Sequence, residues 1–182
     1  VYFREGARCA PSFLDVAGAD DRLVVVHSFS KSFLMTGWRL GWMVAPEPLV
    51  AALGKLIEFN TSCAPVFVQR AGLAALAGAD DFVPGLIGRL KHCRDTLLPQ
   101  LAALPGVSVA SPEGGMYAFC RVAGQDDSLA FAKRLVTEVG LGLAPGAAFG
   151  PEAEGWLRWC FASRDPQRLT DGVKRLSRAI GL

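Results

Sequence analysis

The sequence predicts an α/β region followed by an α+β region, on three observations. Two early segments, residues 22–27 and 39–45, are apolar on consecutive residues, the habit of strands covered on both faces. Helical spacing dominates from residue 48 to residue 104. After Leu104-Pro105-Gly106 the texture changes to short strands and short helices. With 51% of its 182 residues apolar, the chain can bury a sizeable core.

The first helices are expected at residues 48–59 and 66–76. A longer one is expected to open on Asp80 as N-cap, with Phe82, Val83, Leu86, Ile87, Leu90, Leu97, Leu98, Leu101 and Leu104 spaced to bury one side. It reads as a connector between two domains, residues 1–78 and 79–182. The second domain should hold strands near 107–110, 116–122, 141–143 and 156–161, with a helix at 127–139 between them. A final helix starts at Asp165-Pro166, cap then proline, and presents Leu169, Val173, Leu176 and Ile180 on one face.

Composition excludes several function classes. The net charge is only +2 and the basic residues are scattered singly, so the footprint of a nucleic-acid binder is absent. Cys9, Cys63, Cys93, Cys120 and Cys160 are widely spaced without a C-x-x-C pair, and two histidines are too few to complete a zinc site with them; no metal is expected. The longest apolar stretches are broken by Arg70 or by Pro145 and Gly146, short of a membrane span. No signal peptide opens the sequence, and the unpaired cysteine pattern suits a reducing compartment, so the expected location is the cytoplasm.

The chemistry concentrates in residues 27–42, HSFSKSFLMTGWRLGW. A lysine set among aromatics is costly unless its amine is needed there, because burial disfavours the charged form, and only a neutral amine attacks an aldehyde. Ser28 and Ser30 offer hydroxyls beside Lys31, and Arg39 offers a charge-assisted fork to a phosphate. Together these groups point to a phosphorylated aldehyde.

Ser28, Ser30, Lys31, Met35, Thr36, Gly37, Trp38 and Arg39 match, in order, the cofactor-lysine motif S/T-x-S-K, spacer, M-T-G-W-R, and the stretch resembles that of the fold-type I, class I/II aminotransferases. The resemblance implies the C-terminal part of the family's large α/β domain plus an α+β small domain. It implies pyridoxal 5'-phosphate as cofactor, with Lys31 binding its aldehyde carbon and shuttling the proton, and with Ser28, Ser30 and Arg39 on its phosphate. It also implies amino acid and 2-oxo acid substrates and a homodimer.

Further segments extend the likeness over almost the whole chain. Val1-Tyr2 resembles the end of the family's D-E-x-Y segment, in which Tyr2 would reach the cofactor's phenolic oxygen; the segment's aspartate is not in this sequence. Residues 60–69 resemble the loop that family dimers place near the partner subunit's site, and residues 113–117 resemble the small-domain segment on the substrate side. Residues 145–150 match P-G-x-x-F-G, whose glycines serve turn geometry. Residues 157–162 match the R-x-x-F-A strand, where Arg158 would grip the substrate's α-carboxylate. His27 reads as a packed histidine rather than a catalytic one.

By the same resemblance, the phosphate loop, the aromatic that stacks on the cofactor, the pyridine-pairing aspartate and most of the large-domain sheet are expected to precede Val1, which would leave these residues inactive alone. The motif around Lys31 does not separate transaminases from lyases, decarboxylases or synthases on the same scaffold. An aminotransferase-like sensing domain of a transcription regulator is a further alternative, but such domains more often carry proline-glycine before the arginine, where this sequence has Met35-Thr36-Gly37-Trp38.

Overall fold

The structure, a computed structural model of the chain, describes residues 2, 3, 6, 9–18 and 20–182. Two compact units divide it: Gly6–Leu86, and Ile87–Leu182 together with Tyr2 and Phe3.

The first unit is built around a two-stranded antiparallel ribbon, β1 (Val25–Ser28) and β2 (Gly41–Val44), with Val25 opposite Val44 and Ser28 opposite Gly41. A single helical turn, α1 (Phe29–Ser32), follows β1 directly, and a 3₁₀ turn (Thr36–Trp38) leads into β2. Two helices complete the unit, α2 (Glu47–Thr61) and α3 (Val66–Ala77). Both start at a proline-bearing end, Pro48 in the first turn of α2 and Pro65 as the N-cap of α3, where a missing N–H costs nothing. Phe29, Met35 and Val68 are the large side chains buried here, and Gly72 on α3 lets Leu40 and Phe29 pack close against the helix.

Within the described residues the faces of these apolar strands stay largely open. Every residue of β2 is exposed, and Val26 of β1 keeps 71% of its surface open. The described residues provide one ribbon and two helices, too few layers to close both faces of a sheet.

The helix α4 (Ala79–Ala102) runs from the first unit into the second. It begins one residue before Asp80, so Asp80 and Asp81 sit in its first turn, where their charges favour the helix N-terminus, instead of capping it. Its buried stripe is Leu86, Leu90, Cys93, Leu97 and Leu101, while Phe82 stays 40% exposed. α3 and α4 meet at a 77° bend, and no single helix among the described residues is long and apolar enough to cross a membrane.

In the second unit four strands form an antiparallel sheet in the order β3-β4-β6-β5: β3 (Val107–Val109), β4 (Tyr117–Val122), β5 (Ala144–Pro145) and β6 (Trp156–Cys160). α5 (Ser128–Val139) and α6 (Gln167–Ala179) join α4 around the core. Strand alternation sends Ala118, Cys120, Val122, Leu157 and Trp159 inward with Phe161, Leu135 and Leu176. Each such fully buried apolar side chain contributes about 1.5–3 kcal/mol by leaving water. The same alternation leaves Tyr117, Phe119 and Arg158 on the opposite face. The Asp165 carboxylate accepts from the Gln167 N–H at 2.9 Å, so it caps α6 across Pro166.

The expected strand at residues 141–143 is not one. Leu141 instead closes the end of α5: its N–H donates to the Leu135 carbonyl at 3.0 Å, and that of Gly140 to Val136 at 3.1 Å, a Schellman-type cap with Leu141 buried behind it. The strand begins later, at Ala144.

Candidate active site

Four of the expected site residues lie together in the first unit. Ser28 ends β1, Ser30 and Lys31 ride on α1, and Arg39 stands just before β2. Pairing of Ser28 with Gly41, and the Phe29 N–H to Leu40 carbonyl bond of 3.1 Å, bring the two ends of this loop side by side. Gly41 belongs at that pairing because a Cβ there would run into the His27 carbonyl oxygen. Ser28 Oγ accepts from the Ser30 N–H at 3.1 Å and caps α1, which leaves its hydroxyl hydrogen free to donate outward.

Arg39 adopts a left-handed backbone, φ 52° and ψ 46°, uncommon for a residue with a side chain. Its Nη1 donates to the Thr36 carbonyl at 2.9 Å, folding the guanidinium back over the 3₁₀ turn with most of its donors uncommitted. Lys31 is exposed and makes no hydrogen bond or ion pair among the described residues. The aromatic surroundings therefore do not bury it: Phe29 turns inward, edge-on to Trp42 and tilted against Phe33, while His27 stacks on Trp42 with ring centres 4.8 Å apart. His27 is thus a packing residue of the ribbon.

The donor set fits a phosphorylated aldehyde: two hydroxyls and a guanidinium for a phosphate, and one primary amine for the carbonyl carbon. These groups share one β–helix–turn–β segment, and none is spent on neutralising another.

Tyr2 and Arg158 belong to the second unit. Tyr2 pairs with Gly114, and its hydroxyl donates to Glu113 Oε2 at 3.4 Å. Neighbouring Phe3 is buried near Phe161 and under the Arg94 guanidinium, which fixes this segment. Arg158 is half-buried on the open face of β6, opposite Phe119 of β4 and Ala144 of β5. Its Cζ lies 4.2 Å from the ring centres of both Tyr117 and Phe149.

Phe149 is positioned by a loop that needs its glycines. A Cβ at Gly146 would strike the carbonyl oxygens of Ala153 and Trp156, and Gly150 holds φ +133°, a conformation side chains avoid. Buried Ser128 ties the loop to α5: its Oγ accepts from the Ala147 N–H at 3.2 Å. Glu154 Oε1 accepts from the N–H groups of Ser128 and Gly155 at 2.8 and 2.9 Å. Hydrogen bonds from the Ser128 hydroxyl, then from these two N–H groups, hold its carboxyl below the usual carboxylate range. Sequence reading placed the loop and its glycines but did not single out Phe149, Ser128 or Glu154. The one available signal was the phenylalanine inside P-G-x-x-F-G.

The amine, hydroxyls and Arg39 guanidinium thus belong to the first unit, and the Arg158 guanidinium, without an acidic partner among the described residues, to the second. Comparison with known proteins supplies the family. The family model for aminotransferase class I and II matches residues 3–176, and the chain belongs to that family. It is 36% identical over 178 residues to the LL-diaminopimelate aminotransferase of Nitratidesulfovibrio vulgaris (strain DP4), covering 98% of this chain and 45% of that protein. Among solved structures, the aspartate aminotransferase of Thermotoga maritima superposes with a TM-score of 0.80 at 33% identity, covering 97% of this chain and 44% of its own. A Pyrococcus protein described as protein-A1 reaches 0.89 at 28% identity, covering 98% and 46%. The α/β expectation agrees with these neighbours. The chain spans about half the length, or slightly less, of the relatives it matches.

Proposed function

We propose that these residues are the lysine-bearing portion of a pyridoxal 5'-phosphate enzyme that moves an amino group between an amino acid and a 2-oxo acid. The observation that carries the reading is the placement of an exposed lysine, two serines and a left-handed arginine on one β–helix–turn–β segment. When bound, the cofactor's pyridinium ring would supply the electron sink for the pair left at the substrate's α-carbon.

In this reading residues 1–78 finish the large cofactor domain and residues 79–182 form the connector helix and small domain. Ser28, Ser30 and Arg39 hold the phosphate, and Lys31 Nζ binds the aldehyde carbon. Once free, the Lys31 Nζ amine would take the proton from the substrate's α-carbon, hold it as the ammonium and return it to the product. Tyr2 reaches the phenolic oxygen, and Arg158 takes the α-carboxylate. Family likeness further supports a homodimer, and five free cysteines fit a reducing, cytoplasmic setting.

The test is amino transfer by the protein that carries these residues, from a panel of amino acids including aspartate and LL-diaminopimelate to 2-oxo acids. Lys31→Ala should abolish it. Arg158→Ala should keep cofactor affinity while transition-state stabilisation, read from kcat/KM, falls by about 2–5 kcal/mol, with Arg158→Lys restoring only part, since a point charge does not reproduce the fork. Full transfer activity in Lys31→Ala would overturn the reading.

A further inference from the structure

The guanidinium of Arg158 has no hydrogen bond and no acidic partner among the described residues, although it is half-buried. What holds it is aromatic: the rings of Tyr117 and Phe149, each centred 4.2 Å from Cζ. These rings come from different places. Tyr117 lies on β4, on the same sheet face as Arg158 and two pairs along from Phe119, which the register sets directly opposite Arg158. Phe149 comes from the loop after β5, where it meets Phe119 edge-on at 5.7 Å and 76°. The loop is itself seated by the close approach of Gly146 and by the Ser128 bond to Ala147.

An arginine can be oriented in two ways. A carboxylate would fix it through its N–H groups, but would neutralise it and occupy the donors a ligand needs. Aromatic rings attract the cation through their π faces and accept no N–H···O bond, so charge and donors stay available. We propose that Tyr117 and Phe149 are positioning residues for an anion at Arg158. They hold the guanidinium so that an anion meets its N–H edge, and they favour a planar carboxylate, which matches that fork with two parallel bonds, over a tetrahedral anion. This rests on the carboxylate reading of Arg158 and adds which residues make the arginine selective. A bare arginine prefers the more highly charged tetrahedral anion, so the preference itself reports the clasp.

The experiment follows the Arg158 Nε–Hε resonance of the nitrogen-labelled chain, assigned through Arg158→Lys, during titration with propionate and with methylphosphonate. Propionate should shift the wild-type signal saturably and bind more tightly than methylphosphonate. Tyr117→Leu and Phe149→Leu should each weaken propionate roughly two- to five-fold, and the pair together about ten-fold, with the order of preference reversed. Tyr117→Phe, which keeps the ring, should bind like wild type. Phe149 is 46% exposed, so its replacement leaves the core intact, which the amide spectrum of β4 and β6 verifies. If wild type responds and the folded double variant responds equally, the clasp is overturned while the carboxylate reading stands. If the wild-type resonance ignores propionate altogether, the carboxylate reading falls and the proposal with it.

Discussion

The two units put similar apolar strands to opposite use. In Ile87–Leu182, β4 and β6 alternate, so Leu157 and Trp159 are buried under α5 and α6 while Arg158 between them faces out. In Gly6–Leu86, β1 carries Val25 and Val26 and β2 carries Trp42 to Val44 in unbroken runs, and large parts of both stay open. One unit closes its own core and displays Arg158 from it. The other displays its whole chemical motif on a ribbon with little beneath it. A local motif needs only a turn, a cap and one strand pairing, whereas burying continuous apolar strands needs two further layers.

The largest effects should separate the units by stability. Phe161→Ala removes a fully buried ring and should destabilise the second unit by about 3–5 kcal/mol, and Leu157→Ala by about 2–5 kcal/mol, read from urea midpoints. Val26→Ala, at a site 71% exposed, should stay within about 0.5 kcal/mol. Equal losses at Val26 and Phe161 would break the comparison. Hydrogen exchange sharpens it: amides of β4, β6 and α6 should exchange only through global unfolding, and those of β1 and β2 through cheaper local opening.

Thiol chemistry gives a subtler contrast. Burial pushes the Cys120 thiol up to about 12, and Cys93 is buried as well, whereas Cys9, Cys63 and Cys160 are exposed. Native alkylation near neutral pH should therefore label those three first, with Cys93 and Cys120 modified only on unfolding, as peptide mass spectra would record. Labelling of Cys120 in the folded protein would contradict its place in the core.

The smallest effect concerns Glu154. Its folded carboxyl titrates below the ordinary value of 4.5, so its contribution is present above that pH and is lost as pH falls through the depressed folded value. Acid titration of wild type against Glu154→Gln should show this slope only in wild type. Because Glu154 is exposed, the difference should be small and should weaken with salt.

Much of this was readable from residues alone. Helices α2, α3 and α5 follow from periodicity and from flanking prolines or Asp127, and the lysine motif is contiguous, so its residues were bound to be neighbours. Reading failed where an apolar residue had another employer. Leu141 looked like a strand and is a helix-end contact, and Phe82 continues the stripe of Leu86, Leu90 and Cys93 by its spacing yet stays 40% exposed near the start of α4. The exposure of Lys31 was not legible, since aromatic neighbours say nothing of which way they turn. Nor was the clasp on Arg158, which depends on strand register and on a loop fold fixed by Ser128 and Gly146.

The most direct test of the account is covalent trapping. The protein that carries these residues is loaded with pyridoxal 5'-phosphate, reduced with borohydride, digested and mapped by mass. The account predicts one modified amine, Lys31, whose labelling weakens markedly in Arg39→Ala at limiting cofactor and vanishes in Lys31→Ala. Equal labelling of Lys55 or Lys133, or undiminished trapping in Lys31→Ala, would contradict it.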